Sequence, residues 1–208
     1  IKMRKILFTS LLVLVSIFVK ADNLLSNGEF NADNFWVELR TDWKPGVGAA
    51  SLFTEHLNWN KCLRLDIKRI PEEDGVQKMY ALMLLGAEGK TLGFPVKPNT
   101  IYQVSLELRG TVPSASIKPT LWNKKTQDTW DGISYVTFET DNAVKVAEDW
   151  TIIQGHFKTA DDTKRAALGI SLWGDSAQQR NFSWKVGQYL LVDNVVVKEK
   201  TNLALDAP

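Results

Sequence analysis

The stretch Ile101-Tyr102-Gln103-Val104-Ser105-Leu106-Glu107-Leu108-Arg109 decides how this chain is read. Tyr102, Val104, Leu106 and Leu108 alternate with Gln103, Ser105, Glu107 and Arg109. Successive side chains of a strand point to opposite sides, so this period of two marks a strand with one face in a core. Lys97-Pro98-Asn99-Thr100 precedes it as a turn, with φ fixed at Pro98. Outward from there the alternation returns. Leu63, Leu65 and Ile67 alternate with Arg64, Asp66 and Lys68, and Ile117, Pro119 and Leu121 with Lys118, Thr120 and Trp122. Leu168, Ile170 and Leu172 do the same with Gly169, Ser171 and Trp173. Gly86-Ala87-Glu88-Gly89-Lys90 can close a hairpin between 79–85 and 91–96. No segment holds a helical stripe over three turns. The count is about ten strands, which predicts an all-β fold, a two-sheet antiparallel β-sandwich.

The two ends read differently. Lys2, Arg4 and Lys5 precede an apolar run over 6–19, and Val19-Lys20-Ala21 follows it. A positive start, a short apolar centre and a small-residue end describe a secretory signal peptide over 1–21. The run is shorter than the roughly 20 apolar residues of a spanning helix, so no membrane attachment is expected after cleavage. Residues 22–200 form one domain with room for a proper core. The tail 201–208 reads as a linker or the start of a following domain. The whole chain carries a formal charge of +1; residues 1–21 hold four bases and no acids, which leaves −3 for the rest. With no basic patch surviving, nucleic acid is a poor partner. Cys62 is the only cysteine, so no internal disulfide forms, and its apolar strand Cys62-Leu63-Arg64-Leu65 suits a buried, inert thiol.

Two motifs at opposite ends carry a resemblance. They are Asn23-Leu24-Leu25-Ser26-Asn27-Gly28-Glu29-Phe30 and Tyr189-Leu190-Leu191-Val192-Asp193-Asn194-Val195-Val196-Val197. Between them lie Pro98-Asn99-Thr100-Ile101-Tyr102-Gln103-Val104-Ser105-Leu106 and Trp150-Thr151-Ile152-Ile153. Across about residues 23–199 the chain resembles the galactose-binding-like jelly-roll modules, above all the carbohydrate-binding modules attached to xylanases and glucanases. The resemblance implies a jelly roll whose first and last strands lie close together, with a structural calcium ion near them. Glu29 and Asp193 would supply its carboxylates and the backbone carbonyl of Asn60 or Lys61 would complete the shell. Calcium accepts such a mixture of oxygens. It implies a monomeric module within a larger secreted chain, with a polysaccharide or oligosaccharide as partner. The tail Asn202-Leu203-Ala204-Leu205-Asp206-Ala207-Pro208 is similar to the opening of discoidin-like modules.

Sugar rings present apolar C–H faces that a flat indole can cover, so the positions of the eight tryptophans matter more than their number. Trp150 opens a strand and Trp184 stands beside Phe182; both are assigned to structure. Trp122 and Trp173 fall on the outward phase of their strands, where an indole adds nothing to the core. They are the expected platform, provided the phase is right, since a slip of one residue reverses every side chain. Gln103, Glu107, Arg109 and Lys118 share the outward phase as hydrogen-bonding neighbours, and Trp130 in Thr129-Trp130-Asp131-Gly132 is a candidate rim. Trp59 is a weaker loop candidate.

Two other functions compete. A glycoside hydrolase or lyase needs two carboxylates facing across a cleft, and Glu107 with Asp131, Glu139 or Asp175 can be nominated. No local motif distinguishes such a pair, His56 and His156 are isolated, and there is neither a nucleophile elbow nor a phosphate loop. The chain is therefore expected to be non-catalytic. A structural spacer or protein-docking domain would instead keep its tryptophans covered.

Overall fold

The computed structural model describes residues 23–25, 28–30, 37–40, 50–57, 60–86, 93–122, 134–135, 144–179 and 182–200. The segments 1–21 and 201–208, with Trp59, Trp130, Asp131 and Glu139, lie outside the described residues. Among those described there are thirteen strands and no helix. The longer ones are β2 (Ala50–Leu57), β3 (Asn60–Ile67), β5 (Val76–Leu85), β7 (Ile101–Gly110), β8 (Ser114–Trp122), β11 (Thr151–Lys158), β12 (Arg165–Asp175) and β13 (Tyr189–Glu199). Short strands fill in between: β1 (Val37–Arg40), β4 (Glu72–Glu73), β6 (Phe94–Pro95), β9 (Ser134–Tyr135) and β10 (Val144–Lys145).

These make two antiparallel sheets. One has the order β1-β5-β12-β8-β10, with β4 on β5, β6 on β12 and β9 on β8; the other runs β11-β7-β13-β3-β2. The alternation read from sequence sets which side of each strand is buried. Leu63, Leu65 and Ile67 of β3, Val104, Leu106 and Leu108 of β7, Leu190 and Val192 of β13 meet Met79, Ala81 and Met83 of β5 and Leu168, Ile170 and Leu172 of β12 in one core. Tyr102 and Phe157 stack within it, ring centroids 5.4 Å apart. The all-β sandwich expected from the sequence is the fold observed.

Partner choice was less legible. Among the described residues the expected hairpin is not formed: β6 pairs with Arg165 and Ala166 of β12, and β5 pairs with β1, β4 and β12. Gly and Pro mark where a strand stops, whereas the neighbour it then joins depends on the whole sheet. The turn at Pro98-Asn99 does form, with Asn99 at φ 52° and its N–H bonded to the Ala160 carbonyl at 3.1 Å.

The two ends of the domain lie together, as the resemblance implied. The Leu24 N–H donates to Val197 O at 2.8 Å, and Val195 N–H donates to Gly28 O at 2.9 Å. The Asn23 side chain clamps the same place, its Nδ2 donating to Val195 O and its Oδ1 accepting from Val197 N–H, both at 2.8 Å. Here β13 carries an irregularity between Asp193 and Val196, with Asn194 at φ 49°. The extra residue re-aims the strand, so that Val192 and Val195 both enter the core.

Candidate functional site

Each sheet has an outer face, and the nominated residues divide between the two. Gln103, Glu107 and Arg109 lie on the outward phase of β7, in the five-stranded sheet. Lys118, Trp122 and Trp173 lie on β8 and β12, in the other sheet. The expectation of one site therefore does not hold: the two tryptophans and Lys118 belong to one sheet, and Gln103, Glu107 and Arg109 belong to the other. Alternation gives the phase of a residue relative to the core, not the sheet to which its strand belongs. Nor are the two tryptophans side by side. Trp122 is opposite Arg165, at the other end of β12 from Trp173. At ~3.3 Å per residue along the strand, they are about 26 Å apart. The backbone register alone places Trp122.

On the five-stranded side, two rows cross the sheet. Ile152, Glu107 and Asp193 are aligned by register, and Glu55 pairs with Cys62 on β2 and β3. The next row is Arg109, Leu191, Arg64 and Phe53. Leu191 and Cys62 are buried although they face outward, so the middle of this face has a short apolar floor bordered by longer polar chains. Burial, with the nearby Asp193 and Glu55 carboxylates, pushes the Cys62 thiol up to about 12. It is the inert thiol its strand suggested.

Arg64 organises one end of the face. Its Nη1 donates to Glu55 Oε2 and its Nε to Asp66 Oδ1, both at 2.7 Å, and Lys68 Nζ reaches Asp66 Oδ2 at 2.9 Å. The bonds to Asp66 and Glu55 raise the Arg64 pKa. Burial alone would raise the Asp66 carboxyl, but bonds from Arg64 and Lys68 outweigh it and hold it below its ordinary range. Held in this way, the guanidinium lies 4.4 Å from the Tyr189 ring centroid and 5.8 Å from that of Phe53. Such cation–π contacts orient rings as well as stabilise them. Phe53 is left 43 % exposed. Sequence reading missed Phe53, Arg64 and Tyr189. The signal was present in the outward phase of Ala50–Leu57 and Asn60–Ile67, but the adjacency of β2, β3 and β13 was not.

Arg109 has a fixed posture too, its Nε donating to Glu148 O at 2.7 Å. Lys118 stands opposite Gly169, and Gln103 is exposed opposite His156 and Lys198. Trp184 is buried, in agreement with a structural part, and Trp150 is half-buried.

Asp193 is 2 % exposed, accepting from Asn60 Nδ2 at 2.5 Å and from the Asn194 N–H at 2.7 Å. Desolvation raises its pKa against those two bonds, and the charges of Glu107 and Glu29 push the same way. Among the described residues no group of three or more His, Cys, Asp or Glu side chains is arranged to hold a metal. Calcium also takes amide and backbone oxygens, and the Asp193 carboxylate beside the Asn60 amide, with the Glu29 charge acting on Asp193 and Lys61 opposite His56 at the head of β3, offers donors of the right type. The residues fit a hard cation in donor type. Of the carboxylates nominated for catalysis, the two that lie among the described residues do not converge: Asp175 belongs to the opposite sheet from Glu107, where its Oδ1 caps the Ala177 N–H at 2.8 Å.

No family model matches this sequence, and no curated protein matches it. Solved structures with a similar fold include the enzymatically active domain of tailspike protein 4 of bacteriophage CBA120, at 11 % identity and a TM-score of 0.49. The CBM22-1-GH10 modules of the Clostridium thermocellum xylanase 10B, complexed with xylohexaose, are at 12 % and 0.47. The CBM22-1 xylan-binding domain from Paenibacillus barcinonensis Xyn10C is at 12 % and 0.46. The matches cover 85 %, 86 % and 86 % of this chain, and 21 %, 28 % and 95 % of those chains, respectively. The chain thus spans less than a third of the first two. Identities of this order leave the chemistry of its faces to be argued from its own residues.

Proposed function

We propose that the chain is a non-catalytic carbohydrate-binding module that holds an exported, multidomain glycan-degrading protein on its polysaccharide. The observation that carries this reading is the half-exposed Phe53 ring beside the Arg64–Tyr189 stack, with Glu55 and Asp66 fixed around it. An apolar ring offers itself to the C–H face of a pyranose. The carboxylates around it, ordered by the guanidinium, accept hydrogen bonds from sugar hydroxyls with little loss of freedom on binding. Glu107, Arg109 and Gln103 extend the polar surface along the same sheet. The non-catalytic reading is supported by Asp175, which stands on the opposite sheet from Glu107 with its Oδ1 taken up by the Ala177 N–H. Export rests on the segment 1–21.

The purified chain is expected to be retarded in native gels containing soluble xylan, mixed-linkage β-glucan or galactomannan, and to release no reducing sugar from them. Migration equal to that in a polysaccharide-free gel with every polymer would defeat the reading, and reducing-sugar release would turn it toward a hydrolase.

Calcium at Glu29, Asp193 and a carbonyl of Asn60 or Lys61 belongs to the same proposal. A ligand at a hundredfold excess over its Kd stabilises the folded state by about 2.7 kcal/mol. For a chain of this size that is a rise in Tm of roughly 5–10 °C. Calcium should raise Tm over EDTA by that order, and Asp193→Ala should abolish the response. Superimposable melts of the parent chain in calcium and in EDTA would exclude the ion.

A further inference from the structure

We propose a second sugar contact on the opposite face of the sandwich, centred on Trp173, so that one module engages two polysaccharide segments. This rests on the carbohydrate reading above but on different residues. Trp173 is 49 % exposed on the outer face of β12. Tyr80, directly opposite on β5, meets it edge-on, with centroids 6.0 Å apart and ring planes at 83°. The strand end that carries the indole is seated firmly. A Cβ on Gly174, the next residue, would run into the buried Trp184 ring on the core side. The same end is tied to β5 in both directions. Gln77 N–H donates to Ser176 Oγ at 2.8 Å, and Ser176 N–H donates to Gln77 O at 2.9 Å.

The surroundings choose the occupant. Among the described residues the other exposed large apolar side chains are Phe53, Ile152 and Val186, and none lies on this sheet. Next to Trp173 along the outer face come Ser171 and, across from it, Ser116. On the far side Lys78 stands opposite Asp175, its Nζ bonded to Glu73 Oε2 at 3.1 Å. A protein partner, or a second copy of the chain, wants a contiguous apolar patch of several hundred Å² with a desolvated centre. One exposed rigid indole, flanked by Tyr80 and the half-buried Leu82 on β5 and by hydroxyls and charges on its other sides, is too small an apolar patch for that and suits a pyranose, whose C–H face stacks while its rim of hydroxyls finds hydrogen bonds. With Phe53 on the other sheet, the two contacts point away from each other. A single short oligosaccharide cannot span them, so the consequence is bridging between separate chain segments.

Isothermal titration of the full chain with xylohexaose, cellohexaose and mannohexaose tests this, alongside turbidity on mixing with the parent polymers. The parent chain should bind two molecules of the recognised hexasaccharide and cloud its polymer. Trp173→Ala should bind one and leave the polymer clear, while Trp173→Tyr keeps both sites. Phe53→Ala should retain the single site on the Trp173 face. Comparable melts of the variants show that the fold is kept. One site in the parent chain, lost in Phe53→Ala and indifferent to Trp173→Ala, overturns the second contact and leaves the module reading standing. No heat with any sugar overturns both.

Discussion

Gly110→Ala is expected to destabilise the domain by roughly 3–5 kcal/mol, a large part of the 5–15 kcal/mol by which such domains are stable. Gly110 ends β7 opposite Leu190 of β13, at the centre of the five-stranded sheet. A Cβ added there would fall well inside contact distance of the Tyr189 carbonyl oxygen, and 3.1 Å from Leu190 Cα. Those are backbone atoms, so no side chain can swing aside. Either β7 or β13 must move. The carbonyl in question accepts from Thr111 N–H at 2.9 Å and Val112 N–H at 3.3 Å, and Gly110 N–H itself bonds Ala147 O at 2.8 Å. Moving the strand apart loosens this knot as well as adding the steric cost. Gly75→Ala is the comparison: φ is +75° but nothing lies within 4 Å, so only local strain of about 1 kcal/mol is added. Urea unfolding of both variants measures the difference. Midpoints for the two that coincide would mean that β7 and β13 are not spaced as described.

The same knot explains how much of the molecule was legible beforehand. Alternation in Ile101–Gly110 is a local property, and it correctly assigned Val104, Leu106 and Leu108 to the core. Alternation in Ser114–Trp122 and Arg165–Asp175 likewise left Trp173 outside. What period two cannot carry is the identity of the sheet. Arg109 and Lys118 have the same phase and similar chemistry, yet they emerge on opposite sides of the molecule. Register escapes it too: Trp122 and Trp173 belong to adjacent strands, but antiparallel pairing sends them to opposite ends. Phe53, Arg64 and Tyr189 meet because β2, β3 and β13 are neighbours, and Tyr189 is 125 residues from Arg64 in the chain. The pairing of Leu24 and Gly28 with β13 is legible only through the resemblance. Its physical basis is visible in Asn23, whose one side chain bonds Val195 and Val197. Glu29 is brought toward Asp193 by that clamp, not by anything readable around either carboxylate.

Phe53→Ala is expected to weaken binding of the recognised polysaccharide to the five-stranded face by roughly thirty-fold, the effect of losing about 2 kcal/mol from a central aromatic contact. The ring is 43 % exposed at the sheet edge, so little of it contributes to the core and the melting temperature should change by only a few degrees. Replacement of Arg64 tests the same surface through orientation. Lysine keeps the charge but not the flat fork that bonds Glu55 and Asp66 while lying 4.4 Å from the Tyr189 ring centroid. Arg64→Lys should therefore weaken binding while leaving net charge and salt dependence unchanged, and Phe53→Trp should restore or exceed parent affinity by enlarging the stacking surface. Affinity electrophoresis across a range of polysaccharide concentrations gives the dissociation constants, with Trp173→Ala present in every variant so that the opposite face is silent. If Phe53→Ala in that background binds within twofold of its parent, the ring is not a sugar contact. The face would then owe its order to Arg64, Glu55 and Asp66 as a salt-bridged edge of the sheet, where a stability loss on Arg64→Lys without loss of binding would be the matching result.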